Sequence, residues 1–397
     1  MKLNSVAVLR NDYATLTTQL TKMNKLEEAG DIQYLMSLAE FVPSTANFNS
    51  YVSIVIDFAS RRYLREKAKI VLDYTDKYSA VEITSYLKEK LENIRSISTD
   101  EYSLLSEEIE DYISYLDSPR EGFLETLFPL FDDGIGLYDT ALITLAGRPG
   151  SGKSALALNI VEGICRQGKH VSFLSREMSK NSLKNRLYAN LANVENMKIR
   201  NKDLNDNEWT QLRTAINNSK EYKLNIIERN MTVEHLHNYC KILKQQRKLD
   251  FLVVDHALIV NTDRKFAKRN EQVNYISWKL KELAMEFNIP VLMLTQLSRS
   301  AVTNDRPPIL SDLKESGGIE ENSNIVLLLH NKQADDGDTE SENNVVELIV
   351  GKNRDGADNN IHYYFSKPYQ RFEELVKNPM DGKYYKSEKK KVIDIEL

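Results

Sequence analysis

The chain has 397 residues, more than one ordinary domain holds, and its length predicts two domains. Hydrophobic residues make up 41% and charged residues 28% of the chain, as in a globular protein, and no apolar run reaches the ~20 residues that span a bilayer. The formal net charge of −5 argues against a protein that coats nucleic acid by bulk attraction. Two cysteines and the lack of a secretion signal at the start favour a reducing cytoplasm.

The first segment, residues 1–98, is predicted to form a small all-helical domain. Apolar residues recur at helical spacing in Ile32–Val42 and again in Tyr51–Tyr74. Pro43 ends the first of these patterns, and glycine is nearly absent from the segment, as expected for a helical bundle.

A polar, acidic linker is predicted over residues 99–122. Within Glu101–Leu116 one narrow apolar stripe recurs at helical spacing, and its members are Leu104, Leu105, Ile109, Tyr112, Ile113 and Leu116. The stripe predicts a short amphipathic helix that needs a partner surface.

The sequence changes character from Phe123 onwards. Short apolar runs alternate with helical patterns, and the runs are ALITLAG, HVSFLS, LNIIE, FLVVD, VLMLTQ, NIVLLLH and VVELIVGK. Strands that are apolar at consecutive positions are buried on both faces, so we expect an α/β domain over residues 123–375 with a largely parallel sheet between helices. The charged, lysine-rich tail, residues 376–397, is expected to be mobile.

A phosphate-binding loop follows the first of these runs. The segment GRPGSGKS matches the pattern G-x-x-x-x-G-K-[ST] in full, after a predicted strand and before a predicted helix. Its glycines let backbone N–H groups face phosphate oxygens, its lysine carries charge to the β- and γ-phosphates, and its serine hydroxyl ligates Mg²⁺. We therefore expect ATP and Mg²⁺ as cofactors. The loop residues are Gly147, Gly150, Ser151, Gly152, Lys153 and Ser154.

Two carboxylates at strand ends are candidates for the chemistry. Asp255 ends the strand FLVVD, at the sheet edge where it can hold the Mg²⁺ shell. Glu177 follows HVSFLS, where a carboxylate can polarise the attacking water. From the pattern alone, Glu177 is equally well explained as an acid at a helix N-terminus, which the helix dipole favours.

These pieces, in this order, resemble the DnaB-type replicative DNA helicases, which are RecA-like hexameric motors. The resemblance extends from Leu142 to about Phe372 and is carried by ITLAGRPGSGKSALALNI, FLSREMS, DFLVVDHALIV, the helix EQVNYISWKLKELAMEF with the strand after it, SDLKESGGIEENSNIVLLL and LIVGKNRDG. It implies that Glu177 is the catalytic base and that Gln296, which ends VLMLTQ, senses the γ-phosphate. It implies single-stranded DNA as the partner of a homo-hexameric ring, with a primase and a helicase loader as further partners.

The resemblance also assigns Lys352 and Arg354, in GKNRDG, as the lysine and arginine finger offered to a neighbouring subunit's ATP. Their alternate spacing at a strand end places both on one side, and a cation there offsets transition-state charge. Without the resemblance, two solvated loop cations would be the preferred interpretation.

DNA contact falls, by the same resemblance, on Lys314, Glu315 and Gly317 in SDLKESGG. Lys314 supplies charge, whereas Glu315 and Gly317 contribute backbone N–H groups, because DNA phosphates repel a glutamate side chain. A second candidate is the basic run Arg264–Arg269, although such charge runs are more often solvated faces.

The helical segment LEEAGDIQYLMSLAEFVPSTANFNSYVSIV is also similar to this family, but it begins near the middle of the family's N-terminal domain, so we expect a shortened domain. His256 stands where tyrosine is commoner and resembles the phage gene-4-type helicase-primases, which favours a phage-like member. Two other interpretations stay open: a recombinase-like ATPase that forms filaments, and a shortened homologue that recruits or poisons another ring.

Overall fold

A computed structural model describes most of the chain from Phe48 onwards. The described residues are 48–75, 109–117, 122–256, 260–298, 306–313, 317–331, 344–354, 356, 358–377 and 384–386, together with the isolated positions 20, 21, 26, 83, 86, 87 and 105. The chain divides into two compact units, Met1–Ser118 and Pro119–Leu397.

Two helices are described in the first unit. Helix α1 spans Phe48–Tyr74 and confirms the helix predicted there, and helix α2 spans Ile109–Asp117 within the linker. Leu105, also in the linker, lies in a turn. The apolar side chains Ile109, Tyr112, Ile113 and Leu116 of helix α2 are at least half exposed. The helix predicted at Ile32–Val42 and the residue Leu104 lie outside the described residues.

The second unit alternates strands and helices. Its strands are β1 (Phe123–Leu124), β2 (Leu137–Tyr138), β3 (Leu142–Gly147), β4 (Val171–Ser175), β5 (Leu224–Ile227), β6 (Phe251–Asp255), β7 (Val291–Gln296), β8 (Ile325–His330), β9 (Val345–Asn353), β10 (Ile361–Ser366), β11 (Arg371–Lys377) and β12 (Tyr384–Lys386). Its α-helices are α3 (Pro129–Gly134), α4 (Lys153–Arg166), α5 (Lys180–Ala192), α6 (Asn196–Asn201), α7 (Asp206–Asn218), α8 (Val233–Gln245), α9 (Arg269–Phe287) and α10 (Gly317–Asn322).

Ten of these strands form one sheet, in the order β12-β11-β10-β9-β8-β3-β7-β6-β4-β5. The six strands from β8 to β5 are parallel, which confirms the predicted parallel sheet. The sheet is only largely parallel, as expected, because strand β9 runs antiparallel to β8. The burial of β9 alternates along the strand, the pattern of a sheet with one covered face, whereas every residue of β8 is buried. Strands β10, β11 and β12 extend this antiparallel side and were not predicted.

The sheet has a hydrophobic core on each face. In β3, Ile143 and Leu145 pack with helix α4 on one face, whereas Leu142 and Ala146 pack with α8 and α9 on the other. Successive residues of a strand point to opposite faces, so a strand buried on both sides is apolar throughout. The predicted layer of helices on both faces is therefore present.

Within the C-terminal tail, the structure describes residues 376–377 and 384–386, and the expectation that the rest is mobile stays a prediction. Tyr384–Lys386 form strand β12, which pairs antiparallel with β11, and Lys386 Nζ lies 2.7 Å from the Glu373 carboxylate on β11. All three residues of β12, two tyrosines and a lysine, are exposed, as suits a short edge strand that carries a charge. Within the described residues, no helix has the length and apolar character needed to cross a membrane.

Candidate functional site

The phosphate loop connects β3 to α4 at the carboxyl edge of the parallel strands. Strand β3 ends at Gly147, and α4 begins at Lys153. Gly150 and Gly152 have φ angles of +79° and +102°, a backbone conformation that favours glycine. A Cβ at Gly152 would lie 3.0 Å from the Phe372 ring, so the loop is also packed against the antiparallel side of the sheet.

The side chain of Lys153 folds back onto the phosphate loop. Its Nζ donates hydrogen bonds to the carbonyl oxygens of Gly147 and Arg148, each over 2.9 Å. Burial lowers the pKa of Lys153 to about 8, against the opposing charges of Asp255 and Glu177. The ammonium is thus held at the centre of the loop, and its two carbonyl partners are groups that a stronger acceptor can replace.

Ser154 and Asp255 meet at the base of the loop. The Ser154 hydroxyl donates to Asp255 Oδ2 over 2.7 Å. Asp255 is only 1% exposed, and burial raises its pKa although the Ser154 hydrogen bond opposes this. A hydroxyl and one carboxylate are hard oxygen donors of the kind Mg²⁺ prefers, together with phosphate and water. In the part of the chain that the structure describes, no cluster of three or more acidic, histidine or cysteine side chains forms a metal site.

A pocket of about 310 Å³ opens above the loop. It brings together Lys153, Ser154, Glu177 and Gln296 of the predicted site. Strand β7 places Gln296 directly beside Gly147, the last residue of β3. Glu177 is half exposed, and its Oε2 lies 3.9 Å from Nε2 of the buried His256. The carboxylate therefore faces solvent in the pocket, where a water molecule can reach it.

Three polar pocket residues were missed by sequence reasoning. Arg186, on helix α5, lines the pocket, and burial lowers its pKa while the charges of Asp255 and Glu177 oppose this shift. Lys367 and Gln370 come from the turn between β10 and β11. Arg186 was missed because a lone arginine within a helix carries no motif. Lys367 and Gln370 were missed because the hairpin of β10 and β11, whose turn holds them, was not predicted.

Lys352 and Arg354 lie at the opposite edge of the sheet from the phosphate loop. Lys352 pairs with Val326, near the start of β8, whereas Gly147 pairs with Leu329 near its end. The Lys352 ammonium donates to the Glu320 carbonyl, and Arg354 Nη2 donates to the Glu321 carbonyl over 3.1 Å. Both side chains thus point to the C-terminal end of helix α10, and burial lowers the pKa of Lys352.

The residues expected to contact DNA are described only in part. Lys314 and Glu315 lie outside the described residues, whereas Gly317 is exposed and begins helix α10. In the second candidate segment, Arg264, Lys265, Lys268 and Arg269 are all exposed.

Comparison with known proteins identifies the family. The family model called DnaB-like helicase C terminal domain matches residues 124–374, and the family model called DnaB-like helicase N terminal domain matches residues 9–57. The replicative DNA helicase DnaB of Geobacillus stearothermophilus is 30% identical over 380 residues, which cover 92% of this chain and 83% of the relative. The replicative DNA helicase DnaC of Bacillus subtilis is 29% identical over 382 residues, covering 92% of this chain and 83% of the relative.

A solved structure supports the fold. A DnaB-like replicative helicase, studied with its interactions with primase, matches with a TM-score of 0.68 at 24% identity, covering 91% of this chain and 87% of that chain. The sequence matches extend over both units, and the phosphate loop, the paired serine and aspartate and the parallel sheet lie within the longer of the two family matches. The chain therefore belongs to the DnaB-like replicative DNA helicases, which are ATP-hydrolysing enzymes.

Proposed function

We propose that this helicase works as a homo-hexameric ring around single-stranded DNA, and that each ATP is held by one subunit and cleaved with the help of the next. One observation carries the proposal: Lys352 and Arg354 lie near the start of β8, at the opposite end of the strands from their own phosphate loop. A cation in that position has no part in its own subunit's reaction, so its catalytic use requires a neighbour.

The phosphate loop and its surroundings bind the nucleotide. Lys153 exchanges its two carbonyl partners for oxygens of the β- and γ-phosphates, and the backbone N–H groups of the loop and the N-terminus of α4 add donors. The buried Ser151 hydroxyl has no hydrogen-bond partner among the described residues, so it suits a phosphate acceptor. Ser154 and Asp255 hold Mg²⁺, which neutralises charge on the phosphates when bound.

Glu177 acts as the general base. Its exposed carboxylate lies in the pocket with Lys153 and Ser154, where it orients a water molecule and accepts its proton. Gln296, beside Gly147 at the end of β7, is placed to sense the γ-phosphate and to relay its presence along the chain toward Gly317. The nearby Arg186 adds positive charge to the same pocket.

The finger acts in trans for a geometric reason. On strand β8, Val326 is the partner of Lys352 and Leu329 is the partner of Gly147. These two positions are three residues apart, which separates Lys352 from the phosphate loop by roughly 10 Å along the strand direction. Strand β8 also lies between β9 and β3, and both cationic side chains are directed at helix α10 rather than toward the pocket. Arg354 of one subunit then supplies transition-state charge to the ATP of another.

Ring assembly requires a subunit contact, and the linker helix α2 offers one. Ile109, Tyr112, Ile113 and Leu116 are between 50% and 61% exposed, an apolar stripe that we propose docks on the adjacent subunit. Within the ring, Lys314, Glu315 and Gly317 contact DNA phosphates in the channel, Glu315 and Gly317 through backbone N–H groups. A primase and a loader are the proposed further partners, and the cytoplasm is the proposed place of action.

The test is a forked-DNA unwinding assay on the purified chain, with negative-stain images from the same sample. We expect ATP-dependent unwinding and rings. Filaments on DNA would instead support a recombinase-like ATPase. Mixed rings formed with a full-length helicase, without unwinding by this chain alone, would support an interaction protein.

A further inference from the structure

An aromatic ladder runs from Phe266, just before helix α9, to Tyr275 and Trp278 on that helix, and none of these three residues lines the nucleotide pocket. The rings of Phe266 and Tyr275 have centroids 5.3 Å apart, and those of Tyr275 and Trp278 are 5.9 Å apart, both pairs at 40°. The Arg264 guanidinium lies 4.8 Å from the Tyr275 centroid, and the Lys279 ammonium lies 4.8 Å from that of Trp278. Large aromatic side chains and cations therefore alternate on one surface.

This ladder lies beside the start of helix α10. A Cβ at Gly318 would lie 2.3 Å from Asn274 Oδ1, and the Ser277 hydroxyl donates to the Gly318 carbonyl over 3.3 Å. Trp278 lies one helical turn after Asn274, on the same face of α9, and is 45% exposed. Its ring therefore emerges next to the helix whose first residue, Gly317, is a proposed DNA contact.

The segment that carries Arg264 is fixed in place by hydrogen bonds. The Glu234 carboxylate accepts from the Thr262 hydroxyl over 2.6 Å and from the Asp263 amide over 3.1 Å. The Arg264 amide donates to the Thr262 hydroxyl over 3.1 Å. An anchored segment loses little conformational freedom on binding, so the surface is already arranged for a ligand.

The charge around the ladder favours an anionic ligand. Lys265, Lys268 and Arg269 are exposed next to it, although the whole chain carries a formal net charge of −5. Residues 263–271 hold four exposed cations against two exposed acids, Asp263 and Glu271. Glu234 is engaged by the segment itself, and Glu282 lies 2.5 Å from the Lys279 ammonium. An exposed tryptophan with half-buried aromatic neighbours among cations suits a nucleic-acid strand whose unpaired bases can stack, whereas a purely apolar partner has no use for the cations.

We propose that Arg264, Phe266, Tyr275, Trp278 and Lys279 form a second contact surface for single-stranded DNA, here called the α9 platform. One base stacks on the exposed face of Trp278, while Lys268 and its basic neighbours meet the flanking phosphates. The inference rests on the proposed passage of single-stranded DNA past Gly317, and it gives that strand a course from helix α10 onto helix α9.

The chain contains two tryptophans, which provide a reporter and a matched control. Trp209, on helix α7, is 42% exposed and has the Arg213 guanidinium 5.7 Å from its ring centroid. In the Trp209→Phe protein, fluorescence comes from Trp278 alone, and we expect oligothymidylate to quench it in the presence of a non-hydrolysable ATP analogue. In the Trp278→Phe protein, the remaining Trp209 signal should not respond to the oligonucleotide.

A binding experiment separates stacking from charge. Trp278→Ala should weaken oligothymidylate binding about five- to 150-fold and leave the salt dependence unchanged, because it removes a stacking partner and no charge. An abasic oligonucleotide should bind wild-type protein more weakly than oligothymidylate does, and Trp278→Ala should remove that difference. Lys268→Ala should instead weaken both ligands and reduce the salt slope by about 0.7. Trp209→Phe should change neither affinity.

The outcomes distinguish the platform from the helicase proposal. If the wild-type protein binds oligothymidylate and Trp278→Ala binds it equally well with an unchanged melting temperature, the platform is refuted and the ring account stands. If the Trp278 signal changes when the ATP analogue drives assembly but not on adding DNA, the surface is a subunit contact and the platform is refuted. If the wild-type protein binds no single-stranded DNA, both accounts fail.

Discussion

Ser154 and Asp255 are 101 residues apart in the chain, yet the Ser154 hydroxyl donates a hydrogen bond of 2.7 Å to the Asp255 carboxylate. The contact joins the first turn of helix α4 to the end of strand β6, across the edge where the parallel strands end. A phosphate loop and a metal-binding carboxylate are thereby brought together by topology rather than by sequence proximity.

Replacing Asp255 by asparagine should lower kcat about a hundredfold or more while nucleotide binding without metal persists, because the amide keeps the size of the side chain but loses the charge that holds Mg²⁺. A Mg²⁺ titration of ATPase activity measures this. Asp250→Asn is the matched control, since Asp250 directly precedes β6 at its opposite end and accepts a hydrogen bond from the His170 amide. A fully active Asp255→Asn protein with an unchanged Mg²⁺ midpoint contradicts the assignment.

Replacing Glu177 by glutamine should leave ATP binding intact and lower kcat by about 10²- to 10⁴-fold, because a neutral amide cannot accept the proton of the attacking water. Single-turnover hydrolysis together with equilibrium binding of labelled ATP separates the two effects. Glu228→Gln serves as the control, because Glu228 directly follows the neighbouring strand β5 and accepts a hydrogen bond from the Lys180 amide. Normal turnover by Glu177→Gln rules out the base.

ATP affinity should depend on pH through Lys153. Its pKa is lowered to about 8 by burial, so the ammonium of the free protein is charged below that pH and loses its charge above it. ATP affinity should therefore fall as pH rises past about 8, by at most about tenfold per pH unit, and binding there should take up a proton. Calorimetry in buffers of different ionisation enthalpy measures both. The Lys153→Arg protein, whose side chain stays charged, should bind ATP more weakly but without this pH dependence. An equal pH dependence of ATP affinity in both proteins contradicts the role given to Lys153.

Folding stability should carry a separate pH dependence from Glu374. Burial raises its pKa from 4.5 to about 7, although the amides of Leu130 and Phe131 donate to it and oppose the shift. The native state then binds more protons than the unfolded state between these values, so stability falls as pH rises through that window. Glu374→Gln should flatten the fall in melting temperature between about pH 5 and about pH 8. The control substitution Glu373→Gln, at the neighbouring residue, should leave the fall in melting temperature unchanged. Equal slopes of melting temperature against pH for the wild type and Glu374→Gln contradict the role given to Glu374.

The central sheet and the phosphate loop were predictable because their signals are local. A strand such as β8, buried on both faces, is apolar at every position, and the phosphate loop is a contiguous motif between a strand and a helix. Glu177 was singled out because it follows a recognisable strand, and Gln296 through the family resemblance; the structure brings both into the pocket with Lys153.

The rest of the site depends on contacts between distant segments. Arg186 enters the pocket from a helix, and Lys367 and Gln370 enter from a hairpin whose partly exposed strands lack a continuous apolar run. The platform residue Trp278 reads in sequence as one more position of an amphipathic helix, and only its stacking with Tyr275 sets it apart. Lys352 and Arg354 carry no motif strong enough to assign them without the family, and the strand register supplies the physical reason for their proposed use in trans.

The most direct test of the central claim is ATP hydrolysis by mixed rings of Glu177→Gln and Arg354→Ala subunits. Each variant alone should lose hydrolysis, the second by about 10³- to 10⁵-fold. In an equal random mixture, about a quarter of the interfaces pair an intact Glu177 with an intact Arg354, because the two residues belong to opposite sides of a head-to-tail contact. The account predicts that mixing restores DNA-stimulated hydrolysis. No recovery in rings that demonstrably contain both variants, or full hydrolysis by an isolated subunit, would contradict it.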